Sequence, residues 1–227
     1  MKLLVTGASG YVSTEIIRQS LQLPQVTSVV AVARKPVSVP SGADPARLKS
    51  IIVKDYGDYP ASVRDEFKDA AACIWTVGIT PMAYKSLDSE QARKICLDDT
   101  LAGLETMVKS SVKKPFRFVY MSGADAERDQ TKTPPLLPEY FLMRGEDENL
   151  VFGFEEKHPD LVEAGVARPG LIINDSTDVK EVMARLGKEV TTIKLESVAA
   201  ALLQQALHGI EKKTLWSDDL KRLAGSQ

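Results

Sequence analysis

The chain has 227 residues, of which 44% are hydrophobic and 26% charged, and its formal net charge is −2. This composition is typical of a globular protein and excludes extended disorder or a core that depends on disulfides. With 29 Lys and Arg against 31 Asp and Glu, the chain lacks the basic excess of a nucleic-acid-binding domain. No apolar run reaches the roughly 18 residues of a membrane span, so neither nucleic acid nor a membrane is an expected partner.

Cysteine and histidine usage argues against a metal centre. Cys73 lies in an apolar strand-like run and Cys96 in a helical pattern, outside any Cys-x-x-Cys pair, so we expect two buried free thiols. The positions of His158 and His208 add no zinc-ligand pattern, and no metal is expected. The first residues lead directly into a strand-like segment and not into a secretory signal, so the cytoplasm is the expected location.

Short apolar runs alternate with longer helical patterns along the whole chain. In chain order the predicted elements are a strand at Lys2–Thr6, a helix over 10–22, strands at Thr27–Ala33 and Ser50–Lys54, a short helix over 60–68, a strand at Ala72–Val77, a long helix over 87–109, a strand at Phe116–Met121, a helix over 138–158, a strand at Val162–Ala167, and helices over 178–188 and 194–208. Gly209 ends the last of these helices.

Strands that are apolar throughout and alternate with helices predict a parallel sheet covered by helices on both faces. We therefore expect a single α/β domain with a doubly wound sheet of six or seven strands, followed by a charged C-terminal tail over 210–227. Ligands bind such sheets beyond the carboxyl ends of the strands, near the point where the strand order reverses. The residues that follow each strand are therefore the candidate site.

The first of these turns has the sequence TGASGYVS, from Thr6 to Ser13. A glycine-rich turn between a strand and a helix lets backbone N–H groups approach a phosphate, and the helix N-terminus adds partial positive charge. The pattern predicts a dinucleotide site, although an ordinary strand–helix turn is the alternative. Ser13 is small enough to let the helix pack on the strand. The candidate cofactor-binding residues here are Thr6, Gly7, Ala8, Ser9, Gly10, Tyr11 and Val12.

Two cations, Arg34 and Lys35, end the second strand. An acidic residue at this place would accept hydrogen bonds from the adenosine ribose of NAD, whereas cations suit the 2′-phosphate of NADP. The sequence therefore predicts NADP as the cofactor. The alternative is that both are solvated loop residues.

Further candidates follow the third and fourth strands. Asp55 is positioned to accept the adenine amino group and Tyr56 to pack on the adenine ring, or else the two are a turn aspartate and a half-buried tyrosine. Thr76, Val77 and Gly78 are predicted to pass under the nicotinamide ribose, where Gly78 permits close approach of the backbone.

The motifs TGASGYVS, VYMSGA from Val119, YFLMRG from Tyr140 and ARPG from Ala167 occur in this order. Together they resemble an atypical short-chain dehydrogenase/reductase, similar to the Tat-interacting oxidoreductase and to NmrA-like proteins, from residue 2 to about residue 209. The resemblance implies a Rossmann-like fold. It also implies that Pro169 and Gly170 shape the backbone around the nicotinamide end.

The same resemblance implies the catalytic residues. Ser122 would orient a substrate carbonyl, Tyr140 would transfer the proton, and a cation four residues later would hold the ribose and lower the tyrosine pKa. The family has Lys at that last position, but this chain has Arg144, and the exchange is not conservative at a tight site. Tyr140 packing on a loop, and Arg144 paired with Glu148 on the surface, are the structural alternatives.

Three functions remain open at this stage. The first is an NADP-dependent oxidoreductase that acts on a carbonyl or alcohol of a small organic molecule. The others are an NAD(P)-binding protein with isomerase, cyclase or dehydratase chemistry, and a catalytically inactive nucleotide-sensing regulator. The segment 123–137 is either a lid over the site or a surface loop. The 87–109 helix is a candidate surface for a homodimer.

Overall fold

The computed structural model describes residues 1–110, 112–186 and 189–225. The strands are β1 (Lys2–Thr6), β2 (Ser28–Ala33), β3 (Leu48–Ile52), β4 (Ala70–Trp75), β5 (Phe116–Met121), β6 (Val162–Arg168), β7 (Leu171–Ile173), β8 (Thr192–Lys194) and β9 (Thr214–Trp216). The helices are α1 (Tyr11–Ser20), α2 (Ala61–Asp65), α3 (Pro81–Tyr84), α4 (Ser89–Arg93), α5 (Asp99–Lys109), α6 (Pro138–Lys157), α7 (Val179–Leu186), α8 (Leu195–His208) and α9 (Ser217–Ala224).

Seven strands form one parallel sheet in the order β3-β2-β1-β4-β5-β6-β9. The strand order reverses between β1 and β4, so the loops that leave these two strands diverge and open a crevice at the carboxyl edge. This arrangement confirms the predicted doubly wound, Rossmann-like α/β domain. A second, two-stranded parallel sheet joins β7 to β8.

Apolar side chains cover both faces of the large sheet. On one face, Ile16 and Ile17 of α1 pack with Leu202 and Leu203 of α8 and with Leu220 of α9. On the other face, the fully buried ring of Trp75 belongs to a second core layer. Its other fully buried members include Phe67, Leu104, Met107 and Phe118. Each fully buried large side chain contributes about 1.5–3 kcal/mol, and these two layers therefore fix the sheet between its helices.

The prediction that residues 210–227 form a charged tail is wrong for the described residues up to 225, which contain β9 and α9. β9 pairs with β6, with Thr214 opposite Val166 and Trp216 opposite Arg168, and α9 then packs back on α8. A strand of three residues is too short to show a pattern in sequence, and the same holds for β7 and β8. The observed third strand begins and ends two residues before the predicted Ser50–Lys54. The last two residues of the predicted 178–188 helix lie outside the described residues.

The segment predicted as a lid is fixed to α6 over its first half. The backbone N–H of Glu127 donates to the Phe141 carbonyl (2.9 Å), and Asn149 donates to the Arg128 carbonyl (3.0 Å). Gly145 is where the two backbones meet, because a Cβ on this residue would lie 1.7 Å from the Glu127 carbonyl oxygen. Gln130 also donates to the Leu142 carbonyl (3.1 Å), whereas residues 132–136 form no hydrogen bond with α6 among those of the described residues.

The contact at Gly145 gives a stability prediction. Gly145→Ala should lower the free energy of unfolding by at least about 1–3 kcal/mol, because the new methyl group overlaps backbone atoms that cannot move aside. Gly153→Ala, on the same helix, is the control, because its Cβ meets no atom within 4 Å. The control should gain up to about 1 kcal/mol from helix propensity. Urea unfolding of both variants checks this, and equal effects would contradict it.

Candidate functional site

The glycine-rich turn lies at the point where the strand order reverses. Gly7 has φ +64°, and a Cβ on it would lie 2.7 Å from Thr76 Oγ1, so both the backbone conformation and the space require glycine. Thr76 also donates to the Thr6 carbonyl (2.8 Å) and lies 2.5 Å from Ser13 Oγ. These two hydroxyls join β1, α1 and β4. The sequence indicated only that Ser13 is small and missed this bond.

Part of the backbone of the turn is already hydrogen-bonded within the protein. Gly7 N–H donates to the Tyr56 hydroxyl (3.2 Å), and Ala8 N–H donates to the Val32 carbonyl (3.1 Å). Gly10 N–H donates to the Gly7 carbonyl (2.8 Å). These bonds fix the shape of the turn before any ligand binds.

The remaining N–H groups of the turn point to a ligand. Those of Ser9, Tyr11 and Val12 have no acceptor among the described residues, and Gly10, which caps α1, supplies no side-chain cap. Ser9, Gly10 and Tyr11 are exposed. Unsatisfied N–H groups at the start of a ten-residue helix form an anion-binding site, so this turn fits a phosphate or pyrophosphate.

Tyr56 does not occupy the predicted position over a base. Its ring is buried, with 6% exposed, and packs edge-on against Trp75 with 5.8 Å between ring centroids. Its hydroxyl donates to the Val32 carbonyl (3.0 Å) while accepting from Gly7. The prediction that Tyr56 packs on adenine is therefore wrong in this structure, because the hydroxyl bonds hold the ring in the core.

The other residues that follow β2 and β3 lie at the surface. Arg34 and Lys35 are exposed, and neither forms an ion pair with a residue of the described ranges. Asp55 is also exposed, and its carboxylate accepts from Lys94 Nζ (2.6 Å) and from the Gly57 N–H (2.9 Å). The carboxyl ends of β2 and β3 thus present two cations and one carboxylate beside the glycine-rich turn.

The residues that follow β4 lie over the predicted catalytic arginine. Val77 is buried and Gly78 is exposed. A Cβ on Gly78 would lie 3.2 Å from Arg144 Nη1, so the absence of a side chain leaves room in front of the guanidinium. The structure therefore brings Gly78 and Arg144 together at one place on the carboxyl edge.

Ser122 and Tyr140 differ in how their hydroxyl groups are used. Ser122 is held by its N–H, which donates to the Ala167 carbonyl (2.8 Å), while its buried Oγ has no hydrogen-bond partner among the described residues. Tyr140 is buried, and its hydroxyl donates to the Ile79 carbonyl (2.8 Å). Burial raises the pKa of Tyr140, and the nearby Arg144 cation offsets only part of that increase. A proton-transferring tyrosine needs the opposite direction.

Arg144 belongs to a buried polar cluster. Nη1 donates to Asp147 (3.3 Å), Nη2 donates to the Met121 carbonyl (3.1 Å), and the guanidinium lies over the Tyr120 ring at 5.2 Å. Tyr120 in turn donates to the same carboxylate oxygen of Asp147. The alternative of a surface pair with Glu148 is wrong, since Glu148 is buried and binds other arginines.

The buried Glu148 carboxylate binds two arginines. It lies 2.6 Å from Arg168, at the end of β6, and 2.5 Å from Arg128. The turn after Arg168 is also tightly held. A Cβ on Gly170 would lie 2.1 Å from the Thr191 carbonyl oxygen, and Gly170 N–H donates to Ser217 Oγ (2.9 Å). The buried Pro169 accepts from Ala124 N–H (3.0 Å), which joins this turn to the loop after Ser122.

The described residues of the chain also bear on metal sites, membrane helices and a surface cleft. They contain no group of three or more His, Cys, Asp or Glu side chains placed to hold a metal ion, and both cysteines are buried free thiols. None of their helices is long and apolar enough to cross a membrane. A cleft of about 300 Å³ lies between residues 132–136 and Phe141, and none of the predicted cofactor-binding residues lines it.

The sheet and the turn together define the class: an α/β protein with a Rossmann-like fold and, at its switch point, a glycine-rich turn whose Ser9, Tyr11 and Val12 N–H groups have no acceptor among the described residues. No family model matches the chain, and no curated protein sequence matches it.

Solved structures match it closely in shape. MoeE5 in complex with UDP-glucuronic acid and NAD is 16% identical, with a TM-score of 0.71 over 95% of this chain and 75% of that one. The dTDP-glucose 4,6-dehydratase DesIV from Streptomyces venezuelae, a double mutant with NAD bound, is 14% identical, with a TM-score of 0.70 over 100% and 80%. Vestitone reductase from alfalfa (Medicago sativa L.) is 16% identical, with a TM-score of 0.69 over 95% and 76%. At these identities the likeness establishes the fold.

The buried cluster around Arg144 gives a prediction on pH dependence. Burial raises the pKa of Asp147 from 3.8 to about 7, although Arg144 acts in the other direction. The folded chain therefore holds this proton to a higher pH than the unfolded chain does, and stability from this group falls as the pH rises from about 4 to about 7. The full difference is on the order of 2–4 kcal/mol.

We expect wild type to lose stability relative to Asp147→Asn between pH 4 and pH 7, the range between the unfolded and folded pKa values of this group. The measurement is urea unfolding of both proteins at several pH values in that interval. A constant difference across the interval would show that Arg144 keeps Asp147 ionised throughout, against this expectation.

Proposed function

We propose that this protein binds NADP(H) along the carboxyl edge of its sheet and acts as an oxidoreductase on a carbonyl or alcohol of a small organic molecule. The observation that carries the proposal is the glycine-rich turn, with its unsatisfied N–H groups at Ser9, Tyr11 and Val12. A Cβ on Gly10 would lie 3.0 Å from the Gly7 carbonyl oxygen, so glycine keeps the turn tight and its free N–H groups accessible to a pyrophosphate. Structures of the same fold in complex with NAD support the proposal.

The preference for NADP over NAD rests on Arg34 and Lys35. Both are exposed at the end of β2 and have no carboxylate partner in the described residues. In this fold the end of the second strand lies beside the adenosine ribose, where guanidinium and ammonium groups bind a 2′-phosphate. Asp55 lies at the end of the next strand and would accept the adenine amino group.

The residues at the other end of the edge would serve the chemistry. Bound NADPH supplies a hydride. Ser122 Oγ, which has no partner in the described residues, is available to orient a substrate oxygen. Tyr140 would give its proton to that oxygen, and Arg144, whose guanidinium lies against Gly78, would hold the ribose.

A second candidate is a nucleotide-binding protein without redox turnover: an isomerase, cyclase or dehydratase, or a nucleotide-sensing regulator. It is favoured by the state of Tyr140, whose proton is donated to the Ile79 carbonyl and whose pKa is raised by burial. The Arg144 guanidinium likewise already donates hydrogen bonds to the Asp147 carboxylate and the Met121 carbonyl. Substrate binding must break the Tyr140 bond before the first candidate can operate.

Cofactor binding is tested by titrating the protein with NADPH and NADH while nicotinamide fluorescence is recorded. We expect tighter binding of NADPH, and Arg34→Ala should weaken NADPH about 10-fold or more while leaving NADH unchanged, since a charge-assisted hydrogen bond contributes about 1.5–3 kcal/mol. Arg64→Ala on α2 is the control, because this arginine is also exposed and also lacks an ion pair in the described ranges. Binding of neither cofactor would refute the proposal.

Turnover separates the two candidates. With NADPH and a panel of small aldehydes and ketones, Tyr140→Phe should lower kcat by about 100-fold or more if Tyr140 transfers the proton. Tyr84→Phe is the matched control, since its ring lies 5.2 Å from that of Tyr140 and its hydroxyl binds Glu139 instead. Tight NADPH binding without turnover of any compound would favour the second candidate, whereas full activity in Tyr140→Phe would show that another group transfers the proton.

A further inference from the structure

The helix predicted over 87–109 is interrupted in a way the sequence did not indicate. Between α4 and α5, residues Lys94–Asp98 form a single π-helical turn. Such turns add one residue to an α-helix and often occur at functional sites. Here the turn keeps Cys96 and Leu97 in the core and leaves Lys94 exposed, facing the loop after β3.

Lys94 is held by two carboxylates. Its Nζ lies 2.6 Å from Asp55 Oδ1 and 2.7 Å from Asp99 Oδ1. The Asp99 side chain is only 7% exposed, and Lys94 is its one cationic partner among the described residues. A buried carboxylate requires a counter-charge, so Asp99 anchors Lys94, which would otherwise be a mobile surface lysine.

The anchored lysine in turn fixes Asp55. Asp55 Oδ1 accepts from Lys94 and from the Gly57 N–H (2.9 Å). The other carboxylate oxygen, Oδ2, has no partner among the described residues, and the side chain is 53% exposed. With two donors on one oxygen, the carboxylate cannot rotate freely, and the second oxygen is left as a hydrogen-bond acceptor in a set orientation.

We infer that Lys94 is a positioning residue that determines which base the site accepts. By holding Asp55, it presents Oδ2 to the exocyclic amino group of a 6-aminopurine and opposes a 6-oxopurine, whose oxygen would face the carboxylate oxygen. A freely rotating Asp55 would accept instead from the N1–H of the 6-oxopurine, and the selectivity would be lost. The inference rests on the proposed dinucleotide binding and adds a role for a residue that no motif includes.

The test compares NADPH with reduced nicotinamide hypoxanthine dinucleotide phosphate, whose base has a 6-oxo group and an N1–H in place of the amino group and unprotonated N1 of adenine. The quantity is the ratio of the two dissociation constants, from nicotinamide fluorescence. Wild type should prefer NADPH by about 10-fold or more, the effect of about one hydrogen bond to a charged group. Asp55→Ala should bring the ratio near one, and Lys94→Met should lower it at least about threefold.

Lys109→Met is the control, because Lys109 pairs with Glu105 (2.9 Å) farther along the same helix. Its ratio should equal that of wild type. A purely structural role of Lys94 would weaken both ligands equally and leave the ratio unchanged, and that result would overturn the inference.

Loss of Lys94 also leaves the buried Asp99 without its cation and could unfold the single variant. In that case the ratio of the two dissociation constants is measured in the double variant Lys94→Met/Asp99→Asn, which removes the unpaired charge. A wild-type ratio of one would overturn the inference while leaving the proposed function intact. Failure of wild type to bind either dinucleotide would refute the proposed function itself, and with it the inference.

Discussion

The tight approach of β4 to the turn that leaves β1 sets the geometry of the carboxyl edge of the sheet. Gly7 can take its positive φ and accept Thr76 against its Cα only because it has no side chain. Thr76 then bonds to the Thr6 carbonyl, and its hydroxyl meets that of Ser13. The start of α1, the turn and the crevice between β1 and β4 therefore have one fixed geometry. The N–H groups of the turn and the cations at the end of β2 derive their relative positions from it.

Charged groups in the interior organise the other half of the edge. The buried side of α6 carries Arg144, Asp147 and Glu148, and their partners come from β5, β6 and the 123–131 segment. Removing one partner of such a cluster leaves a buried charge and costs about 3–5 kcal/mol, so the cluster ties α6 to the sheet in one position. Arg144, the residue that the sequence motif assigns to the cofactor ribose, is bound within this cluster. The motif alone therefore does not establish the chemistry of the site.

Sequence predicted what depends on continuous apolar runs and on local turn chemistry: six strands of the sheet, the parallel doubly wound class, and the turn at Gly7. It did not predict elements of three residues, such as β9, because their pairing partners are distant in sequence. It also did not predict side-chain direction. Tyr56 follows β3 as expected, yet two hydroxyl bonds hold its ring in the core, and Lys94 reaches Asp55 through a helical irregularity that leaves no mark in the pattern of apolar residues.

The pairing of β9 with β6 has a consequence for the order of assembly during synthesis. Until Thr214–Trp216 leave the ribosome, β6 is the outer strand of the growing sheet, and its outer edge has no partner. The Arg168 guanidinium also lacks the Trp216 ring that later lies 4.9 Å above it, and Arg128 lacks the Thr214 hydroxyl. The nascent chain thus passes through a stage in which the half that carries the glycine-rich turn can be formed while its other edge is still open to association with neighbouring chains.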